Sequence, residues 1–358
     1  MQSEDAGLRI LNYRFSQNNE QIVLGTSHGF RIFHLETHKV TTRRDRQDSQ
    51  FQGGFCFVAP LFSTQILMLV GSSNNSRDPP TKVYVWDEYQ ADMKGEVRFR
   101  SEVKNVLVRR EKFVVILEQI TYVYTWSPLQ PVDSINTAPN EAGVGAISVD
   151  KDKFVLVTLD TVPGHVRVEN YYLGTTQRGF MHENPVTCVA VHPAGMLAAS
   201  ASEQGTIIRV FDPANLQVLN ELRRGSTSAA VSSIAFSPAA RFLLVTSNRM
   251  TVHVWKLEAE QSGGLLSGYL PKYFSYGRSL AKLYLDCPVK WTSHLSVAQG
   301  PIACFTGENL FYVANLDGQL HCCHIDVDTA ALVVDSSYYM LDTDDTEVVQ
   351  EGRTYTAL

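Results

Sequence analysis

The sequence has little charge. Charged residues make up 19% of the chain, and acids outnumber bases for a formal net charge of −6. It lacks the broad basic footprint that grips nucleic acid or adheres to an acidic membrane surface, so any anion must be held by a local patch. Long apolar runs are also missing: stretches such as QILMLVG at Gln65 are far too short to span a bilayer. The opening MQSEDAGLRI has neither a basic start nor an apolar core, so no secretory signal is read there and an intracellular protein is expected. The six cysteines are scattered, which fits reduced thiols better than a disulfide framework. His321-Cys322-Cys323-His324 sits in a strand-like stretch where neighbours face opposite ways, and its spacing matches no usual zinc pattern, so no metal or other cofactor is expected.

Enzyme signatures are equally sparse. AGVGA at Ala142 has no third glycine and no following helix, so it is no dinucleotide loop. The chain carries no nucleophile elbow, no phosphate loop ending in Lys and Ser or Thr, and no HExxH, and its ten histidines are scattered. A binding protein is expected rather than an enzyme.

Repetition takes the place of these motifs. CVAVHPAGMLAASASEQGTIIRVFD, from Cys188, aligns with SIAFSPAARFLLVTSNRMTVHVWKL, from Ser233, at an offset of about 45 residues, the length of one four-stranded propeller blade. The third strand of that unit recurs as RIFHLE at Arg31, VYVWDE at Val83, VYTWSP at Val123, VRVENY at Val166, IRVFDP at Ile208, VHVWKL at Val252 and LHCCHID at Leu320. Apolar and β-branched residues alternate, and no stretch shows a helical period. The pattern predicts an all-β, seven-bladed β-propeller of WD-repeat type over residues 1–341. A pair of β-sandwiches would not explain the regular spacing. The first blade spans about Leu8 to Arg44 and the last about Ser293 to Leu341, so no strand need be lent across the seam. Blade two carries the turn-rich GSSNNSRDPP from Gly71, and blade six an insertion over about residues 259–278. The tail, residues 342–358, is acidic and polar and is expected to be disordered.

Two adjacent arginines, Arg223 and Arg224 in NELRRGSTSA, stand out in an acidic chain. Neighbours on a strand point to opposite sides, so the pair can serve two sites. The preceding blade offers Ser200, Ser202, Thr206 and Arg209, and the following blade Thr246, Ser247, Thr251 and His253. Ser202 to Thr206 and Ser247 to Thr251 have the same spacing, so the two hairpins are equivalent in the repeat. A forked guanidinium with hydroxyls and an imidazole suits a phosphate group. The competing use of such residues is a Ser/Thr–His network that braces blades. Both arginines are expected at the rim, where the fold does not depend on them. The other pair, Arg43 and Arg44, is followed by Asp45 and is read as a solvated face.

With Leu222-Arg223-Arg224-Gly225 between blades five and six, the chain resembles the PROPPIN family, phosphoinositide-binding propellers that include the animal WIPI proteins. The resemblance runs from about Leu8 to Leu341 and is strongest from His182 to Trp255. It implies one phosphoinositide pocket made by His182, Ser200, Ser202, Thr206, Arg209 and Arg223, and a second by Arg224, Ser247, Thr251 and His253. The family departs from this chain at Met250, where it usually has Gly, a change expected to bear on the second pocket or its turn. The implied ligands are phosphatidylinositol 3-phosphate and the 3,5-bisphosphate. The implied role is a monomeric, cytoplasmic effector, peripheral on phagophore, endosomal or vacuolar membranes, that recruits lipid-transfer or conjugation proteins of autophagy and binds no nucleic acid.

The blade-six insertion carries Leu265, Leu266, Tyr269, Leu270, Tyr273 and Phe274 with Lys272 and Arg278 and no acid, a mixture suited to a membrane interface. The resemblance implies that this loop enters the membrane beside the two pockets, while SLAKLYL from Ser279 reads as the outer strand of blade six. The alternative for the whole chain is a soluble WD-type scaffold in an unrelated complex, its arginines bracing the blades.

Overall fold

The computed structural model describes residues 8–44, 53–73, 78–257, 277–285 and 300–341, together with the backbone of two short strands in the tail. It contains strands and turns, with no helix among the described residues. The strands form seven sheets, each built on four blade strands paired antiparallel, two of them carrying further short strands, and the protein is an all-β, seven-bladed β-propeller. All seven repeated segments from RIFHLE to LHCCHID fall on the third strand of a blade.

Contacts divide the chain into two compact units: residues 1–143 with 316–319 and 338–347, and residues 144–315 with 320–337 and 348–358. In the first, the leading strands Ile10–Phe15, Phe55–Pro60 and Asn105–Val108 lie beside one another in order. In the second, Gly145–Ile147, Val186–Val191, Val231–Phe236 and Ile302–Phe305 do the same.

Burial follows from this stacking. A blade is covered on both faces, so its second strand is a continuous apolar run: Ile66–Gly71, Val155–Leu159 and Phe242–Ser247 are buried almost throughout. The fourth strand lies at the edge and tolerates charge, as in Lys39–Arg44 and Asp92–Arg98. Between blades five and six, Ala199, Ala201, Ile208, Val210 and Leu222 interlock with Val231, Ile234, Leu243, Val245 and Trp255. Leu244, Val252 and Val254 face the other way, against Phe305, Phe311 and Val313 of blade seven.

The outer strand of blade six is Ala281–Tyr284, within the segment expected for it. In the tail, Arg353–Thr356 pairs antiparallel with the outer strand of blade seven, Ala331 opposite Thr356 and Val334 opposite Arg353. The run RTYT is three-quarters β-branched or aromatic, and an outer strand has an edge to offer it.

Candidate functional site at the junctions of blade five

Blade five consists of Val186–Val191, Ala198–Ser202, Ile207–Phe211 and Val218–Arg223. Its register decides which side chains meet. Ser200 is opposite Arg209, Arg209 opposite Glu221, and Ile207 opposite Arg223. Opposed residues share a face, as do residues two apart along a strand. Ser200, Ser202, Arg209, Glu221 and Arg223 therefore lie on one side of the sheet. Ala198 and Phe211 share that side and pack against Val155, Val157 and Val168 of blade four. The alternate residues, Ala199, Ala201, Ile208 and Leu222, face blade six. Apolar groups fill each junction and the polar set closes one end of it.

At the blade-four side, His182 is buried and its Nε2 lies 2.9 Å from Ser200 Oγ. Arg209 Nε donates to Glu221 Oε1 at 2.6 Å, and its Nη1 donates to the Met181 carbonyl. Burial, with help from the nearby Arg209 charge, lowers the His182 pKa to about 4. Thr206 stands outside this shared face, in the turn before the third strand, where its carbonyl accepts the Arg224 amide at 2.9 Å.

Arg224 follows the last residue of the strand and turns the other way. It is only 8% exposed, its Nε donates to the Gly205 carbonyl at 2.6 Å, and Nη2 donates to the Thr227 carbonyl. This corrects the expectation that both arginines are dispensable to the fold. Arg224 ties the hairpin of blade five to the loop leading into blade six, because a guanidinium has donors enough to satisfy two carbonyls at once. Arg223 is partly exposed at the strand end.

On blade six, Val245 is opposite His253, and His253 opposite Lys282, while Ser247 is opposite Thr251. Ser247, Thr251, His253 and Lys282 thus share the face that Val245 and Trp255 turn toward blade five. Ser247 Oγ and Thr251 Oγ1 are 2.8 Å apart. Thr246 alternates to the other side, where its Oγ1 donates to the Pro301 carbonyl. The His253 ring stacks on Trp255 with centroids 5.6 Å apart. It is 3% exposed, and among the described residues neither of its nitrogens has a hydrogen-bond partner. Burial, then the Lys282 and Arg224 charges, lowers its pKa to about 3. Arg224 itself is lowered by burial and by Arg249. Arg224, Arg249 and Lys282 make this junction electropositive. In the sequence Lys282 reads only as one of the basic residues of the blade-six insertion segment; the register with His253 is what places it at this junction.

Met250 keeps the turn that Gly205 makes in the equivalent hairpin. Their φ values are 56° and 57°, in the left-handed region. For Met this costs about 1–2 kcal/mol. Its buried side chain packs with Val252, Leu285 and Phe311 on the blade-seven side, which offsets that cost and leaves the Ser247–His253 face clear.

Both histidines are held neutral, and this sets a pH dependence. Their folded pKa values lie below the usual value of about 6.5, so the unfolded chain takes up protons first as pH falls. Stability is full above about pH 6.5 and declines toward pH 4 for His182 and pH 3 for His253. At pH 5 each should cost about 2 kcal/mol, from 1.36 kcal/mol per unit. Urea titrations at pH 7 and pH 5 should show the drop, and His253→Gln should lose about half of it. An unchanged difference in that variant would show that His253 is not held neutral.

His321 and His324 of the fourfold His/Cys run take separate partners in the adjacent strand: Ser337 Oγ at 2.8 Å and Asp335 Oδ1 at 2.9 Å. The residues proposed for membrane entry, Leu265 to Phe274, lie outside the described residues.

Comparisons with known proteins agree with this architecture. The PROPPIN family model matches residues 10–295. The chain is 30% identical over 328 residues to Autophagy-related protein 18e of Arabidopsis thaliana, covering 89% of this chain and 84% of that one. It is also 30% identical over 256 residues to SVP1-like protein 2 of Pichia angusta, covering 70% of each. Among solved structures, Kluyveromyces lactis Hsv2 with its complete loop 6CD superposes with a TM-score of 0.74 at 18% identity, covering 93% of this chain and all of that one. A complex of KlAtg21 with the coiled coil of AgAtg16 matches with the same TM-score and identity, covering 92% of this chain and 99% of that one. On the family match and the similarity to the Arabidopsis protein, the chain belongs to the PROPPIN family.

Proposed function

We propose that this protein is a non-enzymatic phosphoinositide effector of autophagy. It recognises 3-phosphorylated inositol lipids through two sites on opposite sides of blade five and recruits other proteins to the membrane that carries them. The first site uses His182, Ser200, Ser202, Thr206, Arg209 and Arg223, and the second Arg224, Ser247, Thr251 and His253. The observation that carries the reading is the junction of blades five and six. A buried imidazole without hydrogen-bond partners among the described residues faces the same gap as Arg224 and two hydroxyls. A buried polar group left unpaired costs about 1–3 kcal/mol, so such a ring is better matched to a ligand than to a bare core. A phosphate dianion would accept hydrogen bonds from the hydroxyls and the guanidinium and would favour protonation of the ring.

The comparisons support the biological setting. Relatives carry the name of autophagy-related proteins, and a neighbour in fold is seen with a coiled coil from AgAtg16. By analogy, a coiled-coil or conjugation-machinery protein is the partner class proposed here, and phagophore, endosomal or vacuolar membranes are the proposed place of action. The proposed ligands are phosphatidylinositol 3-phosphate and the 3,5-bisphosphate.

One observation favours a plain scaffold. The His182–Ser200 and Ser247–Thr251 bonds hold their own blades together and need no ligand. Vesicle flotation separates the two readings. Binding that requires phosphatidylinositol 3-phosphate in the vesicle supports the effector. Equal recovery with and without the lipid, or none in either case, supports the scaffold.

A further inference from the structure

Blade five has a fifth strand that no repeat predicts. Gly277–Arg278, at the end of the blade-six insertion, pairs in parallel with the outer strand of blade five, Leu222 beside Gly277 and Arg223 beside Arg278. The chain then crosses to blade six and becomes its outer strand, Ala281–Tyr284. Two features hold the short strand in place. The Gly277 carbonyl accepts the Trp255 indole N–H at 3.2 Å, and a Cβ at Gly277 would sit 3.1 Å from Leu222 Cδ2. Glycine lets the backbone approach Leu222 this closely, and the indole fixes its carbonyl.

Register places Arg278 with a particular company. Gly277 lies with Leu222 on the blade-six side, so Arg278 lies with Arg223 on the other, the side of Ser200, Ser202 and Arg209. Neighbouring strands in a sheet stand about 4.8 Å apart, so the two arginines leave the backbone at adjacent positions on that face. Glu221 shares the face and binds Arg209. Arg278 is exposed, with no salt bridge among the described residues. Two adjacent forks, one from the end of the outer strand of blade five and one from the end of the insertion, make a wider anion cradle than one fork can.

We propose that Arg278 is a third arginine of the first site and contacts a second phosphate group on the ligand, so that the insertion sets preference for a doubly phosphorylated headgroup. This rests on the phosphoinositide reading given above. The ligand class is an inositol with phosphates at both positions 3 and 5 besides the one that joins it to the lipid, and the pairing with Gly277–Arg278 delivers the contact to the end of the strand that carries Arg223.

The test uses soluble headgroups, so that general attraction to a charged bilayer does not enter. The full chain and its Arg278→Gln and Arg278→Lys variants are titrated by calorimetry with inositol 1,3-bisphosphate and inositol 1,3,5-trisphosphate, the headgroups of the mono- and bisphosphorylated lipids. Melting temperatures confirm that each variant is folded. Arg278→Gln should weaken the more phosphorylated headgroup at one of the two sites by about tenfold and leave the other headgroup within twofold of the parent. Arg278→Lys should recover part of the loss, since a single ammonium replaces a fork. Equal affinities of parent and Arg278→Gln for both headgroups would overturn the assignment of Arg278 while leaving the effector reading intact. A uniform loss for both headgroups would overturn its role in preference. A parent chain that binds neither headgroup would instead overturn the effector reading.

Discussion

A chain carrying Thr at both Arg223 and Arg224 should stay at the bottom of a flotation gradient in which phosphatidylinositol 3-phosphate vesicles lift the parent chain to the top. Each guanidinium supplies a charge-assisted contact of about 1.5–3 kcal/mol, so each site loses about ten- to 150-fold in headgroup affinity. The two losses fall on different sites, because Arg223 shares a face with Ser200 and Arg209 while Arg224 reaches toward Gly205 and Thr227. Binding through two linked sites then loses its multiplying effect as well. The substitutions differ in what they do to the fold. Arg223 ends its strand partly exposed, and Arg223→Thr should melt close to the parent. Arg224→Thr leaves the Gly205 and Thr227 carbonyls without their donor and should melt a few degrees lower. A double variant that floats like the parent would remove the headgroup assignment altogether.

The second large effect concerns the insertion. Replacing Leu265, Leu266, Tyr273 and Phe274 by Ser should leave affinity for soluble headgroups near the parent value and shorten residence on vesicles. Full burial of one large apolar side chain contributes about 1.5–3 kcal/mol, less when it enters only part-way. Four such groups, even partly inserted, change the off-rate by two or more orders of magnitude, since interface changes act mainly on dissociation. The anchoring of Gly277 by Trp255 and Leu222 keeps one end of the insertion beside the first site, so an inserted loop and an occupied headgroup would reinforce each other. An environment-sensitive dye attached at position 270 reads this directly. Emission that does not shift while the protein binds vesicles would make the loop a protein-docking surface and not a membrane anchor.

The repeat was legible because a blade imposes its own period. Five of the seven third strands carry an aromatic near their end, Phe33, Trp86, Trp126, Phe211 and Trp255, at matching positions. The two-sided use of Arg223 and Arg224 was legible for the same reason, since alternation along a strand needs only the sequence. Three things were not. Arg224 as a brace depends on the carbonyls of Gly205 and Thr227, and carbonyl positions have no side-chain signature. Lys282 beside His253, and Arg278 beside Arg223, depend on how a chain returns after an insertion, and the register of a returning strand is set by tertiary packing. The short strand at Arg353–Thr356 was hidden by the acidic residues before it, because composition averaged over a tail conceals a four-residue β-prone run.

If blade five carries an anion site on each side, the headgroup stoichiometry counts them. Calorimetric titration of the full chain with inositol 1,3-bisphosphate should give two headgroups bound per chain. Arg223→Ala should reduce this to one and leave the site that contains Arg224, while Arg224→Ala, checked by its melting curve for folding, should reduce it to one and leave the site that contains Arg223. A stoichiometry of one in the parent chain, unchanged in both variants, would contradict the account.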